Sequence, residues 1–224
     1  MTRTAADRAA EAARMVVESE GVYLRTRGDP FFFTSGWASP IFIDIKQLVS
    51  RPAAREALVG LVLEQIAESL SARPFDFVAG CELAGIPFAA IIADRLRLPL
   101  IVVRKQSKGF GRLAQFEGAF EVSARALLID DVSTDGLTKE TFRVALERAE
   151  AQVAETFVLL DYEVFPQLPS VRPLTSLMRL TDVVAALSAR GGISGQALAE
   201  IEAFAADAPA WSRRNGGIAA LPTQ

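Results

Sequence analysis

Residues Ala126 to Glu140 read ALLIDDVSTDGLTKE: an apolar run breaks off in two adjacent carboxylates, Asp130 and Asp131, and a turn of small residues leads into a helix-like segment. A short, unbroken apolar run of this kind fits a strand buried on both faces. The pattern recurs on either side. FDFVAG (75–80), LPLIVV (98–103), RALLID (125–130) and QVAETFVLL (152–160) read as strands, with GIPFAAIIADRL (85–96) and TKETFRVALERAEA (138–151) as the helices between them. Strands alternating with helices predict a doubly wound α/β fold, a mostly parallel sheet flanked by helices. Ligands of such sheets gather outside the carboxyl ends of the strands, which is where this reading puts Asp130 and Asp131.

Outward from that core, residues 4–20 predict an amphipathic cover helix with Ala9, Ala13, Val16 and Val17 on one side. FFFTSGWASPIFIDIKQL (31–48) places two short apolar strands around turn residues, as a hairpin or small hood spanning about 20–50. A helix over 52–71 follows, with Pro52 in its first turn and Leu58, Leu61, Val62, Ile66 and Leu70 at spacings of three and four. The stretch KQSKGFGRLAQFEGAFEVSA (105–124) is polar and aperiodic, long for an idle connection, and reads as a binding loop or lid over about 105–120. Beyond Pro173, SLMRLTDVVAALSAR and SGQALAEIEAFAA predict helices, and RRNGGIAALPTQ a frayed tail, together covering about 174–224. Nothing divides residues 1–224 into more than one domain.

The 224 residues are half hydrophobic, enough for one ordinary core, and the net charge of −3 with interspersed signs argues against a nucleic-acid or membrane-surface binder. The single cysteine, Cys81, has no partner for an internal disulfide, so a reducing, cytoplasmic setting is expected. No stretch has the length of a signal core or a membrane span. The chain has no histidine, which removes the commonest proton-transfer group and the commonest transition-metal ligand. Any chemistry falls to carboxylates, lysines and electrostatics.

Two adjacent acids at a strand end are commonly an N-cap and a solvated turn residue. Here Ser133, Thr134, Gly136 and Thr138 follow, with hydroxyls, a permissive backbone and exposed N–H groups before a helix, the composition of a phosphate cradle. Acids that accept from ribose hydroxyls beside a phosphate cradle describe a sugar-phosphate site. Neither a Walker loop nor the dinucleotide fingerprint is present.

LLIDDVSTDGLT (127–138) resembles the phosphoribosyl pyrophosphate signature of the type I phosphoribosyltransferases. FTSGWASPIFID (33–44), VAGCELAGIPFAAIIADRLRLPLIVVRKQSKGFG (78–111) and LTSLMRLTDVVAAL (174–187) resemble, in order, segments of the orotate phosphoribosyltransferases, so the likeness covers about residues 20–190. The resemblance implies transfer of a phosphoribosyl group from phosphoribosyl pyrophosphate to orotate. It makes Thr34, Ser35, Gly36 and Phe42 candidate contacts to the base, and Asp130 and Asp131 partners of the ribose. Ser133, Thr134, Asp135, Gly136, Leu137 and Thr138 become the 5′-phosphate loop. Cys81, Glu82, Leu83, Ala84 and Gly85 become the diphosphate loop, with backbone N–H groups as donors. Arg104, Lys105 and Lys108 open the family's mobile catalytic loop, whose charges reach the other subunit of a homodimer. Mg2+ is implied as well, held mainly by substrate oxygens and water and without a dedicated metal cage.

The chain departs from the family at three places. Phe110 stands where many members have a histidine, leaving Lys108 as the remaining proton donor. Tyr162 stands where many have an arginine for the orotate carboxylate, which turns attention to Lys46. Asp135 lies in the phosphate loop, where an acid facing a phosphate would repel it, so its side chain must point away. A phosphoribosyl-binding regulator and a transferase for another base remain as alternatives on the sequence alone. Cys81 itself has no neighbouring base and reads as a small buried residue.

Overall fold

The computed structural model describes residues 3–25, 28–69, 74–107, 115–171 and 173–221; Lys108 and Phe110 lie outside them. The central sheet contains β5 (Phe77–Cys81), β6 (Leu100–Val103), β7 (Phe116–Glu117), β8 (Arg125–Ser133), β9 (Gln152–Asp161) and β10 (Leu174–Arg179) in the order β10-β9-β8-β5-β6-β7. All neighbours run parallel except β7, an antiparallel two-residue strand at one edge. The flanking helices are α1 (Ala5–Glu18), α2 (Pro52–Ser69), α3 (Gly85–Leu96), α4 (Leu137–Glu147), α5 (Leu180–Ala189), α6 (Gly195–Ala206) and α7 (Ala208–Arg214). This is the doubly wound, mostly parallel sheet flanked by helices that the sequence predicts.

The strands are apolar throughout because both faces are covered, and the alternation of side chains sorts them between two cores. Phe77, Ala79, Cys81, Ala126 and Leu128 pack on one face with Phe142, Ala145 and Leu146 of α4. Val78, Leu127, Ile129, Phe157 and Leu159 face the opposite way, into the larger core that α1, α2, α3 and α5 help to build. Asp130, two residues beyond Leu128, therefore falls on the α4 side.

Chain direction diverges between β5 and β8: β5 leads through α3 to β6 on one side, and β8 leads through α4 to β9 and β10 on the other. The loops leaving β5 and β8 separate there and leave a crevice. The fragments β1 (Val22–Leu24) and β4 (Ile41–Ile43) pair antiparallel, as do β2 (Phe31–Phe32) and β3 (Ala38–Ser39), and these two small sheets form the N-terminal hood.

Three features differ from the sequence reading. The paired acids lie inside β8 and not past its end: β8 runs to Ser133 because β9 stays beside it, through Asp130↔Val158 and Ser133↔Asp161, although its pairing with β5 stops at Gly80↔Ile129. Residues 176–179, expected as the start of a helix, belong instead to β10, since β9 offers an open edge and Leu177 and Met178 are both buried there. The described part of the tail, as far as Leu221, is tied down rather than frayed. After α7, Ile218 donates its N–H to the Gly36 carbonyl at 3.0 Å, and Ser212 Oγ donates to the Ile218 carbonyl at 2.7 Å while accepting from Ala38 N–H at 3.0 Å. Ser212 and Ile218 thus splice this segment onto the hood.

Candidate active site

The crevice between β5 and β8, roofed by the hood, is a cavity of about 450 Å3. Three chain segments far apart in sequence line it: Thr34, Ser35 and Phe42 from the hood, Glu82, Leu83 and Ala84 after β5, and Asp130, Asp131, Thr134, Asp135, Gly136 and Thr138 from β8 and the turn into α4. Lys105 closes one side. Phe32, Phe33, Ile43, Lys46, Val132 and Lys139 complete the lining.

The turn into α4 depends on Gly136, whose φ of 84° lies in the left-handed region where a side chain would be strained. It precedes the first helical residue, so the first-turn N–H groups face the cavity mouth without intrahelical acceptors. Leu137 N–H is the exception. It donates to Asp135 Oδ1 at 3.0 Å, and the Leu137 side chain lines a neighbouring cleft with Thr141 and Arg148. Leu137 N–H is therefore already taken, which leaves those of Thr138 and Lys139 in this turn for an anion.

Asp135 does point away. It is 2% exposed, and its second oxygen accepts from Trp37 Nε1–H at 2.9 Å, across 98 residues of sequence. Gly85 permits the other close approach, because a Cβ there would stand 2.5 Å from the Ile129 carbonyl oxygen and 3.0 Å from Asp130 Oδ1. Its absence lets the start of α3 lie against β8.

The two acids of the pair differ in environment. Asp130 is buried, accepts from Asp131 N–H at 3.0 Å and meets Lys139 Nζ at 2.5 Å, with both side chains 6% exposed. Burial alone would depress the Lys139 pKa, but Asp130 outweighs it and holds the ammonium above its ordinary value. Among the described residues Asp131 has no such partner. Burial, and then the charge of Asp130, push its carboxyl up to about 6. At the hood end, Lys46 Nζ pairs with Asp44 at 2.8 Å and lies 5.9 Å from the Phe42 ring centroid. Burial opposes its charge, yet Asp44 and Asp131 raise its pKa. Phe42 stands within 6.3 Å of Tyr23, Phe31 and Phe33, in an aromatic cluster whose rings are tilted against it.

Several residues expected at the site do not line the cavity. Cys81 is fully buried at the end of β5, and burial followed by Asp130 drives its thiol well above the ordinary range, so it remains protonated. Glu82 N–H is taken by the Val103 carbonyl at 2.8 Å, so the row of loop donors starts later than expected. Gly36 gives its carbonyl to the C-terminal splice, Gly85 packs beneath Asp130, and Ser133 Oγ is buried without a partner among the described residues. Arg104 pairs with Glu117 at 2.9 Å and faces the edge of the sheet. Tyr162 is buried, its hydroxyl donating to the Ile41 carbonyl at 3.4 Å, and offers nothing to a ligand. Lys139 and the aromatic pair Phe32 and Phe33 were missed. A lysine in the first turn of a helix, where the macrodipole disfavours a cation, was the available signal for Lys139.

An acid pair, a helix-terminal cradle and a hood around one crevice of this fold define a phosphoribosyltransferase, and the family model "Phosphoribosyl transferase domain" matches residues 46–164. An orotate phosphoribosyltransferase of Dinoroseobacter shibae is 37% identical over 211 residues, 92% of this chain and 93% of that one. The crystal structure of orotate phosphoribosyltransferase from Aeropyrum pernix superposes with a TM-score of 0.65 at 28% identity, covering 81% of this chain and 99% of that one. The UMP synthase of Leishmania donovani gives 0.70 at 26% identity over 88% of this chain, which spans only 42% of that longer protein. The chain belongs to the orotate phosphoribosyltransferase family, a family of pentosyltransferases.

Proposed function

We propose that the cavity transfers the 5-phosphoribosyl group of phosphoribosyl pyrophosphate to orotate, giving orotidine 5′-monophosphate and pyrophosphate for pyrimidine nucleotide synthesis. The observation that supports this best is the convergence of hood, post-β5 loop and α4 turn on one 450 Å3 space. A base between Phe42 and the Thr34-Ser35 turn, a ribose at Asp130 and Asp131, and a 5′-phosphate at Thr134, Gly136 and Thr138 would lie in sequence along it. Ser35 Oγ, buried and without a partner among the described residues, is a free hydroxyl for the base. Lys46 is the cation for its carboxylate.

In the reaction the C1–oxygen bond to the diphosphate breaks, and a ring nitrogen of orotate forms the C1–nitrogen bond and gives up its proton. No covalent enzyme intermediate is needed. Positive charge grows on the ribose and negative charge on the diphosphate. Asp131 faces the first. Lys105 faces the second, and its backbone N–H is held by Glu82 at 3.0 Å, which ties the opening of the catalytic loop to the diphosphate loop. Magnesium, when bound, supplies further neutralisation of the diphosphate. Asp131 lines the cavity without a salt-bridge partner among the described residues, so an ion carried mostly by substrate and water could take it as a further ligand.

Lys105 lines the cavity of its own chain, while the family resemblance has the loop charges reach the other subunit of a homodimer, a sharing that subunit mixing tests; the cytoplasm is the expected location, and no described helix is long and apolar enough to cross a membrane. The test is loss of orotate absorbance with phosphoribosyl pyrophosphate and magnesium present. No consumption, together with measurable binding of the sugar diphosphate, would leave the regulator reading in its place.

A further inference from the structure

We infer that the Trp37–Asp135 hydrogen bond is a mechanical link through which an occupied phosphate loop sets the base-binding hood, making Trp37 and Asp135 positioning residues. The inference rests on the two-subsite reading above and goes beyond it by specifying how one subsite acts on the other.

Asp135 carries the loop end of the link. Among the described residues no cation pairs with this buried carboxylate, and its side-chain partners are N–H groups: Leu137 N–H on Oδ1 at 3.0 Å and Trp37 Nε1–H on Oδ2 at 2.9 Å. Its backbone carbonyl accepts from Leu168 N–H at 3.0 Å. A hydroxyl side chain in this position could not give each N–H a separate oxygen. A carboxylate can, and the bond to the charged acceptor is stronger than a neutral one.

Trp37 carries the hood end. It is fully buried, its ring 4.8 Å from that of Phe165, and its backbone carbonyl accepts from Phe33 N–H at 2.9 Å. Phe33 in turn accepts from Gly36 N–H at 2.9 Å, which closes the turn that presents Thr34 and Ser35 to the cavity. From the α4 turn to the base-facing hydroxyls the path is therefore one side-chain hydrogen bond and one tight turn. A phosphate on the first-turn N–H groups of α4 fixes the backbone around Asp135, and so fixes Trp37 and the hood turn. Ordering that the first ligand has already imposed need not be paid again by the second.

The experiment measures orotate affinity by calorimetry in phosphate-free buffer, with and without saturating ribose 5-phosphate, a probe with no leaving group and hence no turnover. In the unmodified chain the sugar phosphate should tighten orotate at least about fivefold, the low end for coupled sites. Trp37→Phe and Asp135→Ser should each bring that ratio close to one, and the double variant should lose no more than either single one. Hydrogen exchange at residues 33–38 should slow on adding ribose 5-phosphate in the unmodified chain but not in Trp37→Phe. Either variant suffices if the other fails to fold. A ratio of one in the unmodified chain, or a ratio the variants leave intact while both affinities fall together, overturns the link alone. No binding of ribose 5-phosphate to the unmodified chain overturns the underlying site reading and the link with it.

Discussion

Lys139→Met keeps the bulk of the side-chain stem and deletes the charge that Asp130 faces, so it isolates one buried ion pair. The pair is 2.5 Å long with each side chain 6% exposed. Removing one partner of such a pair costs about 3 to 5 kcal/mol, against about 0 to 1 kcal/mol for a solvated one. The variant has one escape, which is to bury the aspartate as a neutral acid. Protonating an ordinary aspartate at pH 7 costs about 4 kcal/mol, at 1.36 kcal/mol for each unit above a pKa of about 3.9, so the two routes give the same size. The escape becomes easier by about 1.4 kcal/mol per pH unit on acidification, which leaves a loss of about 1.5 kcal/mol at pH 5. The raised pKa of Lys139 does not confuse the measurement, because a cation stabilised by folding contributes fully below its ordinary value of 10.5 and is lost only above it. Guanidinium unfolding followed by circular dichroism at pH 7 and pH 5 reads both values. Asp130→Asn combined with Lys139→Met buries neither charge and should recover most of the loss. A cost below about 1 kcal/mol at pH 7, or one that does not change with pH, would refute the reasoning.

Asp131→Asn tests the other acid: a carboxyl raised from 3.8 to about 6 weakens folding as pH rises through that window, so the variant should match the unmodified chain near pH 4 and be more stable by about 1 to 3 kcal/mol at pH 8 in ligand-free unfolding curves. Lys105→Ala should lower kcat about 10- to 100-fold while ribose 5-phosphate affinity changes little; equal losses would remove the transition-state role. Lys46→Met should raise the orotate KM about tenfold and leave that of phosphoribosyl pyrophosphate unchanged in steady-state assays. Equimolar mixing and refolding of Lys105→Ala with Asp131→Ala chains should restore about a quarter of full activity if sites are shared, since half of random dimers then hold one intact site; an inert mixture would argue for sites within one subunit.

The alternation of apolar runs and helical periods carried the parallel core, because strands covered on both faces leave a signal that short-range patterning can read. The misread parts depended on partners elsewhere. Nothing local makes Leu174 to Arg179 a strand; the open edge of β9 does. Nor does RRNGGIAA announce order, since its Ile218 N–H finds its acceptor in the Gly36 carbonyl, more than 170 residues earlier. At the site, residue types chosen for chemistry were readable, but their facing was not. Arg104, expected at the diphosphate from its place in the family's loop motif, pairs with Glu117. Lys139 looked like an ordinary helix-surface residue, and only the two-residue alternation of β8 places it against Asp130.

The cavity lining has three acids within six positions, an arrangement that by itself would repel a sugar diphosphate. The surroundings resolve each acid differently. Lys139 neutralises Asp130, and Asp135 turns its oxygens toward Trp37 and Leu137 and away from the mouth. That leaves Asp131 as the acid of the three presented to a ligand, and its raised pKa makes it a ready proton acceptor just below neutrality. The same feature that seemed least compatible with phosphate binding, Asp135, is compatible because its charge is spent on holding the hood. A loop with a hydroxyl in its place would bind phosphate with less repulsion but would have no second oxygen for Trp37. On the proposed reading the acid serves the architecture between the two subsites, and Asp131 is the one left to face the ribose.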